Sequence, residues 1–122
     1  MKYLINYADK AYYNSQKLNS QSATIGGFDR VIPYNSSNID KDFKAKNQYI
    51  LEQQRGAGYW AWKPYFIYKT LQNINDGDFL FYCDAGSIFI RSINPVIDIL
   101  DSTEEKILLF ELEEVHTIKT WT

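Results

Sequence analysis

Short apolar runs alternate with polar stretches along the whole chain, and this pattern predicts strands and helices in turn. Residues 2–7 predict the first strand, and Asp9 is suited to cap a helix that ends near Asn19. The apolar side chains of that helix are Tyr12, Tyr13 and Leu18. Gly26 and Gly27 then break the chain.

The middle of the chain continues the alternation. A short strand at residues 31–32 is expected to end at Pro33, and a second helix is predicted over residues 39–54. Pro64 suits the first turn of a third helix, whose apolar residues recur at helical spacing and should share one buried face. These apolar residues are Ile67, Leu71 and Ile74.

The last part of the chain contains further apolar runs. Asp76 and Gly77 form a turn, and residues 79–83 are continuously apolar, which is typical of a central strand covered on both faces. The elements that follow are a strand at residues 88–90, a helix opened by Asn94 and Pro95, and a strand at residues 107–110. Alternating strands and helices predict an α/β fold with a mostly parallel sheet.

Composition narrows the class of protein. The chain has 122 residues and is 45% hydrophobic, which suits one domain over residues 1–122. A net charge of -2 gives no basic surface for nucleic acid, and no apolar run approaches the length of a membrane span. Residues 1–7 lack the features of a secretory signal and Cys83 has no disulfide partner, so a cytoplasmic location is expected. The 16% aromatic content fits either an aromatic core or rings that stack on sugars and bases.

Asp84, Ala85 and Gly86 follow directly after the buried strand at residues 79–83. Ligands of open α/β sheets bind beyond the carboxyl ends of the strands. A carboxylate there can hold a ribose hydroxyl or a divalent cation, and the two small residues allow a ligand close to the backbone. The alternative is structural: Asp84 caps a turn and Gly86 supplies an unusual backbone angle.

A glycine-rich aromatic segment precedes the third helix. Arg55 and Lys63 could neutralise a diphosphate, while nearby rings shape a nucleotide pocket; these rings are Tyr59, Trp60 and Trp62. Alternatively, the tryptophans are core anchors and the two cations are exposed. The glycine spacing matches neither of the common phosphate-binding loops. His116, after Glu113 and Glu114, is either a base or metal ligand or a surface residue.

Three of these segments together resemble a known family. Arg-Gly-Ala-Gly-Tyr-Trp-Ala-Trp-Lys-Pro-Tyr at 55–65, Asn-Asp-Gly-Asp at 75–78 and Phe-Tyr-Cys-Asp-Ala-Gly at 81–86 are similar to motifs of bacterial and viral GT-A glycosyltransferases. The resemblance implies a three-layer, Rossmann-like sheet and transfer of a sugar from a nucleotide donor to a glycan, lipid or protein hydroxyl. The donor-site residues that it implies, with Tyr7 at the end of the first strand, are Tyr7, Arg55, Tyr59, Trp60, Lys63, Asp84, Ala85 and Gly86.

The same resemblance raises the question of a metal. Tyr82-x-Asp84-x-Gly86 is similar to the Tyr-x-Asp-x-Asp strand end of glycogenin-like enzymes, which bind Mn²⁺ or Mg²⁺ with the two aspartates. Here Gly86 replaces the second aspartate, so Asp84 is a metal ligand only with help from another residue. No residue is assigned as the catalytic base.

Family members have an acceptor-binding second half, so the resemblance implies a domain incomplete at its carboxyl end. One alternative is a non-catalytic module that binds nucleotides or carbohydrates. Another is a phospho-accepting receiver domain, which requires an acidic pair after the first strand. Only Asp9 follows that strand, and Asp84 lies too late in the chain to be the phospho-accepting aspartate, so a receiver domain is not favoured.

Overall fold

A computed structural model describes residues 1–52 and 61–109. Its parallel sheet consists of β1 (Lys2–Tyr7), β2 (Arg30–Tyr34) and β3 (Phe79–Tyr82), in the order β2-β1-β3. The register places Ile5 of β1 between Ile32 and Tyr82 of its two neighbours. The predicted α/β fold with a parallel sheet is therefore confirmed over this part of the chain.

Helices cover both faces of the sheet. They are α1 (Tyr13–Gly26), α2 (Lys41–Lys46), α3 (Gln48–Leu51), α4 (Trp62–Leu71) and α5 (Asn94–Asp101), with 3-10 turns at Lys10–Tyr12 and Ser36–Asn38. Successive side chains of β1 point to opposite faces. Asn6 is hydrogen-bonded to Asn19 of α1, whereas Ile5 and Tyr7 pack in one cluster with α4.

The aromatic residues that the composition emphasised form much of the core on the α4 face. The ring of Phe66 stacks on Tyr34 with centroids 4.2 Å apart, and Tyr7 stacks on Trp62 at the same distance. The Tyr34 hydroxyl lies 3.0 Å from Thr70 Oγ1, which satisfies both polar groups inside the core. For these four rings, the core interpretation of the aromatic content is correct.

The first helix buries a different face from the predicted one. Asp9 caps the 3-10 turn by accepting a hydrogen bond from the Ala11 amide, and α1 then continues as far as Gly26. The predicted apolar face is exposed, at Tyr12, Tyr13 and Leu18. The buried residues are Gln16, Asn19, Ala23 and Gly26, because polar groups on the sheet offer hydrogen bonds to this helix.

Two predicted boundaries in the middle of the chain are wrong. The second strand continues through Pro33 to Tyr34; β2 lies at an edge of the described sheet, where a proline that donates no hydrogen bond is tolerated. Of the helix predicted over residues 39–54, residues 53 and 54 lie outside the described part of the chain, and the rest contains two short helices separated at Asn47. The first helix also runs past its predicted end near Asn19 to the predicted break at Gly26 and Gly27, where Gly27, at a φ of 82°, adopts the left-handed conformation without strain.

The α4 helix buries the expected face only in part. Pro64 lies in its first turn, as predicted, and Ile67 packs, partly buried, against the core cluster, but Leu71 is 53% exposed and Ile74 lies beyond the end of the helix. Trp62, Phe66 and Thr70 are buried instead. Their spacing of four residues is equally helical, and the rings of Trp62 and Phe66 pack on Tyr7 and Tyr34 of the sheet.

The elements after residue 75 match the prediction in part. The turn at Gly77 and the helix opened by Asn94 and Pro95 are confirmed. Within the described residues β3 is an edge strand rather than a central one. Residues 88–90 form no strand, because the Phe89 amide bonds to a serine hydroxyl of α1 instead of a neighbouring strand. Residues 107–109 are exposed and form no strand, and Phe110 lies outside the described residues.

Candidate functional site

The loops that follow the parallel strands meet at one edge of the sheet. The chain passes from β1 to β2 on one side and then crosses to β3 on the other. The strand order therefore reverses between β1 and β3, and this is the position at which open α/β sheets bind ligands. Residues 8–9 and residues 83–87 leave the sheet at this crevice.

Strand alternation determines which side chains reach each face beyond β3. Leu80 and Tyr82 pack against the core cluster on the α4 face, whereas Phe81 contacts Phe28 and Phe89. Asp84 lies two residues after Tyr82, so the same alternation places it on the α4 face. Tyr82 donates a hydrogen bond of 3.1 Å to Asp84 Oδ1.

Lys63 joins this carboxylate from the first turn of α4. Its Nζ lies 3.4 Å from Asp84 Oδ1 and 5.6 Å from the ring centroids of both Trp62 and Tyr82. The Lys63 side chain is 32% exposed, whereas that of Asp84 is 69% exposed. The structure thus brings together two predicted site residues that are separated in sequence, and it leaves most of the carboxylate accessible to a ligand.

Tyr7 lies at the end of β1, between the crevice and a neighbouring cavity. The ring is buried and stacked on Trp62, so it does not offer an exposed stacking face. Its cavity, of about 340 Å³, combines apolar and polar side chains; it is lined by Tyr7, Ser36, Ile39, Lys44, Ala45, Gln48, Leu51 and Glu52. This size is at the lower end of the range for small-molecule sites.

Ala85 and Gly86 complete the turn that carries Asp84. The Ser87 amide donates to the Asp84 carbonyl at 3.0 Å, and Ala85 is buried. Gly86 is exposed, and a Cβ placed there would meet no atom of the described residues within 4 Å other than those of its chain neighbours. Its φ is not left-handed, so the alternative that glycine supplies an unusual backbone angle does not apply.

A buried polar network holds this turn from the α1 face. Asn19 Nδ2 donates to the Ser87 carbonyl at 2.7 Å, and Asn19 Oδ1 accepts from Asn6 at 2.6 Å. Gln16 extends the network to the Asn6 side chain and to the Tyr34 carbonyl. Asn6 and Asn19 are at most 1% exposed. The network therefore connects Asn6 in β1, the last residue of β2 and the turn after β3 through α1.

Burial controls the protonation of the phenols and the thiol at this edge. It raises the pKa of Tyr82 far above the usual tyrosine range, and the Asp84 charge raises that pKa further. Burial likewise raises the pKa of Tyr7, and the negative charge of Asp9 raises that pKa further. Burial also raises the pKa of the Cys83 thiol, which favours the uncharged form and agrees with its interpretation as a small buried side chain rather than a nucleophile.

Several predicted residues lie outside the described part of the chain, namely Arg55, Tyr59, Trp60, Glu113, Glu114 and His116. The site also contains residues that the sequence did not single out as ligand-binding. Tyr82 could have been found from its position two residues before Asp84 on the same strand face. The hydrogen-bonding roles of Asn6, Gln16 and Asn19 have no recognisable sequence signal.

No family model, curated protein or solved structure matches this chain. Among the helices of residues 1–52 and 61–109, none has the length and apolarity to cross a membrane.

Proposed function

We propose that the chain binds a nucleotide-sugar donor at the carboxyl edge of its sheet, as the donor-binding part of a glycosyltransferase. The observation that carries this proposal is the meeting of Asp84 and Lys63 at the point where the strand order reverses. A carboxylate accepts hydrogen bonds from ribose hydroxyls, and an ammonium attracts a diphosphate. The site thus offers one complementary group for each half of a nucleoside diphosphate.

The neighbouring cavity supports the nucleotide part of the proposal. It lies beside Tyr7, and its rim carries Lys44, Gln48 and Glu52, which can exchange hydrogen bonds with the edge of a base. Gln48 and Glu52 are already hydrogen-bonded to each other at 2.8 Å, which fixes their orientation. We assign the base to this cavity and the diphosphate to the Lys63 side of the crevice.

The sugar is then directed toward the exposed Gly86, where a Cβ would meet no atom of the described residues other than those of its chain neighbours. In the reaction, the bond between the anomeric carbon and the diphosphate oxygen breaks and the nucleoside diphosphate leaves. The acceptor hydroxyl oxygen bonds to the anomeric carbon, and its proton is released to solvent. The residues Arg55, Tyr59 and Trp60 join this proposed donor site through the resemblance of the sequence motifs alone.

Nucleotide binding tests this proposal directly. UDP or GDP, supplied with Mn²⁺, is expected to raise the melting temperature, because a ligand that binds the folded state stabilises it by about 2.7 kcal/mol at 100 times its dissociation constant. Uridine and guanosine, which lack the diphosphate, should have a smaller effect.

Asp84→Asn should abolish most of this response while the variant keeps its fold, since the side chain is 69% exposed. Asp40→Asn is a matched control. Asp40 is equally exposed, and it pairs with Lys69, which lies on α4 like Lys63. The proposal is wrong if neither nucleotide stabilises the protein, or if both variants respond like the original chain.

A further inference from the structure

The Lys63 ammonium lies beside Asp84, the carboxylate at which the family resemblance implies a metal ion. Lys63 Nζ is 3.4 Å from Asp84 Oδ1, and the Tyr82 hydroxyl donates to the same oxygen. Both contacts involve Oδ1, so Oδ2 is the oxygen left for a ligand. An exposed ion pair of this kind contributes little to folding stability.

The Lys63 ammonium is held in place rather than free to move in solvent. It lies 5.6 Å from the ring centroids of Trp62 and Tyr82, and about two thirds of the side chain is covered. Trp62 is itself buried in the core cluster. Aromatic faces attract a cation, so these rings and Asp84 together restrain the ammonium at the crevice.

The residues at this position do not fit a divalent cation. Mg²⁺ and similar ions require several oxygen ligands, whereas Gly86 occupies the position of a second aspartate. Across the described ranges, no three histidine, cysteine, aspartate or glutamate residues gather in an arrangement that could hold a metal ion. An ammonium 3.4 Å from Oδ1 would also repel a doubly charged ion that bound the same carboxylate.

We infer that Lys63 supplies the cation for the donor diphosphate, and that the nucleotide binds without a divalent metal. This inference rests on the proposed donor site. The ammonium then lies between two anions, the Asp84 carboxylate and the diphosphate, while the free carboxylate oxygen accepts a hydrogen bond from ribose. The protein itself provides the charge that a metal ion provides in the glycogenin-like arrangement.

Calorimetric titration of the full chain with UDP and with GDP, in EDTA and in Mn²⁺, tests this inference. The dissociation constant of the nucleotide that binds should agree within about twofold between the two buffers. Lys63→Met should weaken binding by about tenfold, the effect of losing one charge-assisted contact, and Lys63→Arg should retain most of the affinity.

Lys69→Met is the matched control. Lys69 lies on the same helix, is 34% exposed, pairs with Asp40 at 3.8 Å and lies 5.9 Å from the Tyr65 ring centroid. Its replacement removes an equal charge and should leave the affinity unchanged. Melting curves of all three variants establish that each is folded at the titration temperature.

Each other outcome overturns the inference in a recognisable way. Binding in Mn²⁺ that EDTA abolishes would show a metal-dependent donor site, which contradicts the role of Lys63 but leaves the proposed function standing. Equal weakening by Lys63→Met and Lys69→Met would show a general charge effect. Failure of both nucleotides to bind in either buffer would overturn the inference and the proposed function together.

Discussion

Gly86 is the residue at which this site departs most clearly from a two-aspartate metal site. It lies two residues after Asp84, is exposed and has open space where a Cβ would project. Among the described glycines, left-handed φ angles occur only at Gly27 and Gly77, so an ordinary side chain is compatible with the backbone at residue 86. The position can therefore be altered with little effect on the fold.

Gly86→Asp should create the missing second carboxylate. We expect the free energy of unfolding to change by no more than about 0.5 kcal/mol, as is usual for exposed substitutions. Combined with Lys63→Met, which removes the ammonium that would repel a divalent ion, Gly86→Asp should allow Mn²⁺ to raise the melting temperature, whereas Mn²⁺ should not raise that of the original chain. Gly86→Asn provides the uncharged control of similar size. Equal stabilisation of the original chain by Mn²⁺ would contradict our account of Lys63.

For individual residues, the sequence indicated which side chains to consider for a site but not how they contact one another. Asp84 and Lys63 were identified from motif, charge and position, and the structure brings them within 3.4 Å. The roles of Trp62 and Tyr7 were harder to predict. Whether an aromatic ring faces a ligand or another ring depends on which residues meet in space, and here these two rings are stacked on each other.

The element that controls the site most strongly is α1, although it contributes no proposed ligand contact. Its buried face is polar, and Asn19 connects β1 to the turn after Asp84. Apolar periodicity predicted the wrong face of this helix. An apolar pattern marks the buried face only when the buried residues are apolar. Here the polar groups on the sheet form hydrogen bonds with polar residues of α1, so these residues are buried.

Asn19→Leu should destabilise the fold by about 1–3 kcal/mol, because the Asn6 amide loses a partner and the Ser87 carbonyl loses its donor. It should also weaken nucleotide binding when measured well below the melting temperature, since the turn that carries Asp84 is no longer held. Chemical denaturation and titration measure these two effects separately.

Leu18→Ala is the control for this variant, because Leu18 lies on the same helix and is 58% exposed. Its stability and affinity should remain close to those of the original chain. Unchanged nucleotide affinity in a folded Asn19→Leu variant would show that the network supports the fold without positioning the site.

For the whole molecule, the alternation of strands and helices was sufficient to predict a parallel α/β sheet, because parallel strands need crossover connections that helices commonly provide. Strand order could not be predicted from the residues. The continuous apolar run at residues 79–83 indicated a central strand, yet β3 lies at an edge of the described sheet and its side chains are partly buried. Aromatic packing with Phe28 and Phe89 explains the apolar character on one face.

The order β2-β1-β3 has a consequence for binding that no single motif contains. It places the reversal of strand order between β1 and β3, so the loops after Tyr7 and Tyr82 form the two walls of one crevice. Our central claim is that the nucleotide occupies this crevice, with the diphosphate beside Lys63 and Asp84.

The most direct measurement is a titration of the isotopically labelled chain with UDP and GDP, in EDTA, followed by amide NMR. We predict that the nucleotide that binds shifts two sets of amide resonances most strongly among the described residues: those of residues 7–9 and 83–87 at the crevice, and those of residues 36, 39, 44–45, 48 and 51–52 around the cavity assigned to the base. Residues 27–29 and 75–78, at the opposite edge of the sheet, should be unaffected. Shifts concentrated at that opposite edge, or no shifts with either nucleotide, would contradict the account.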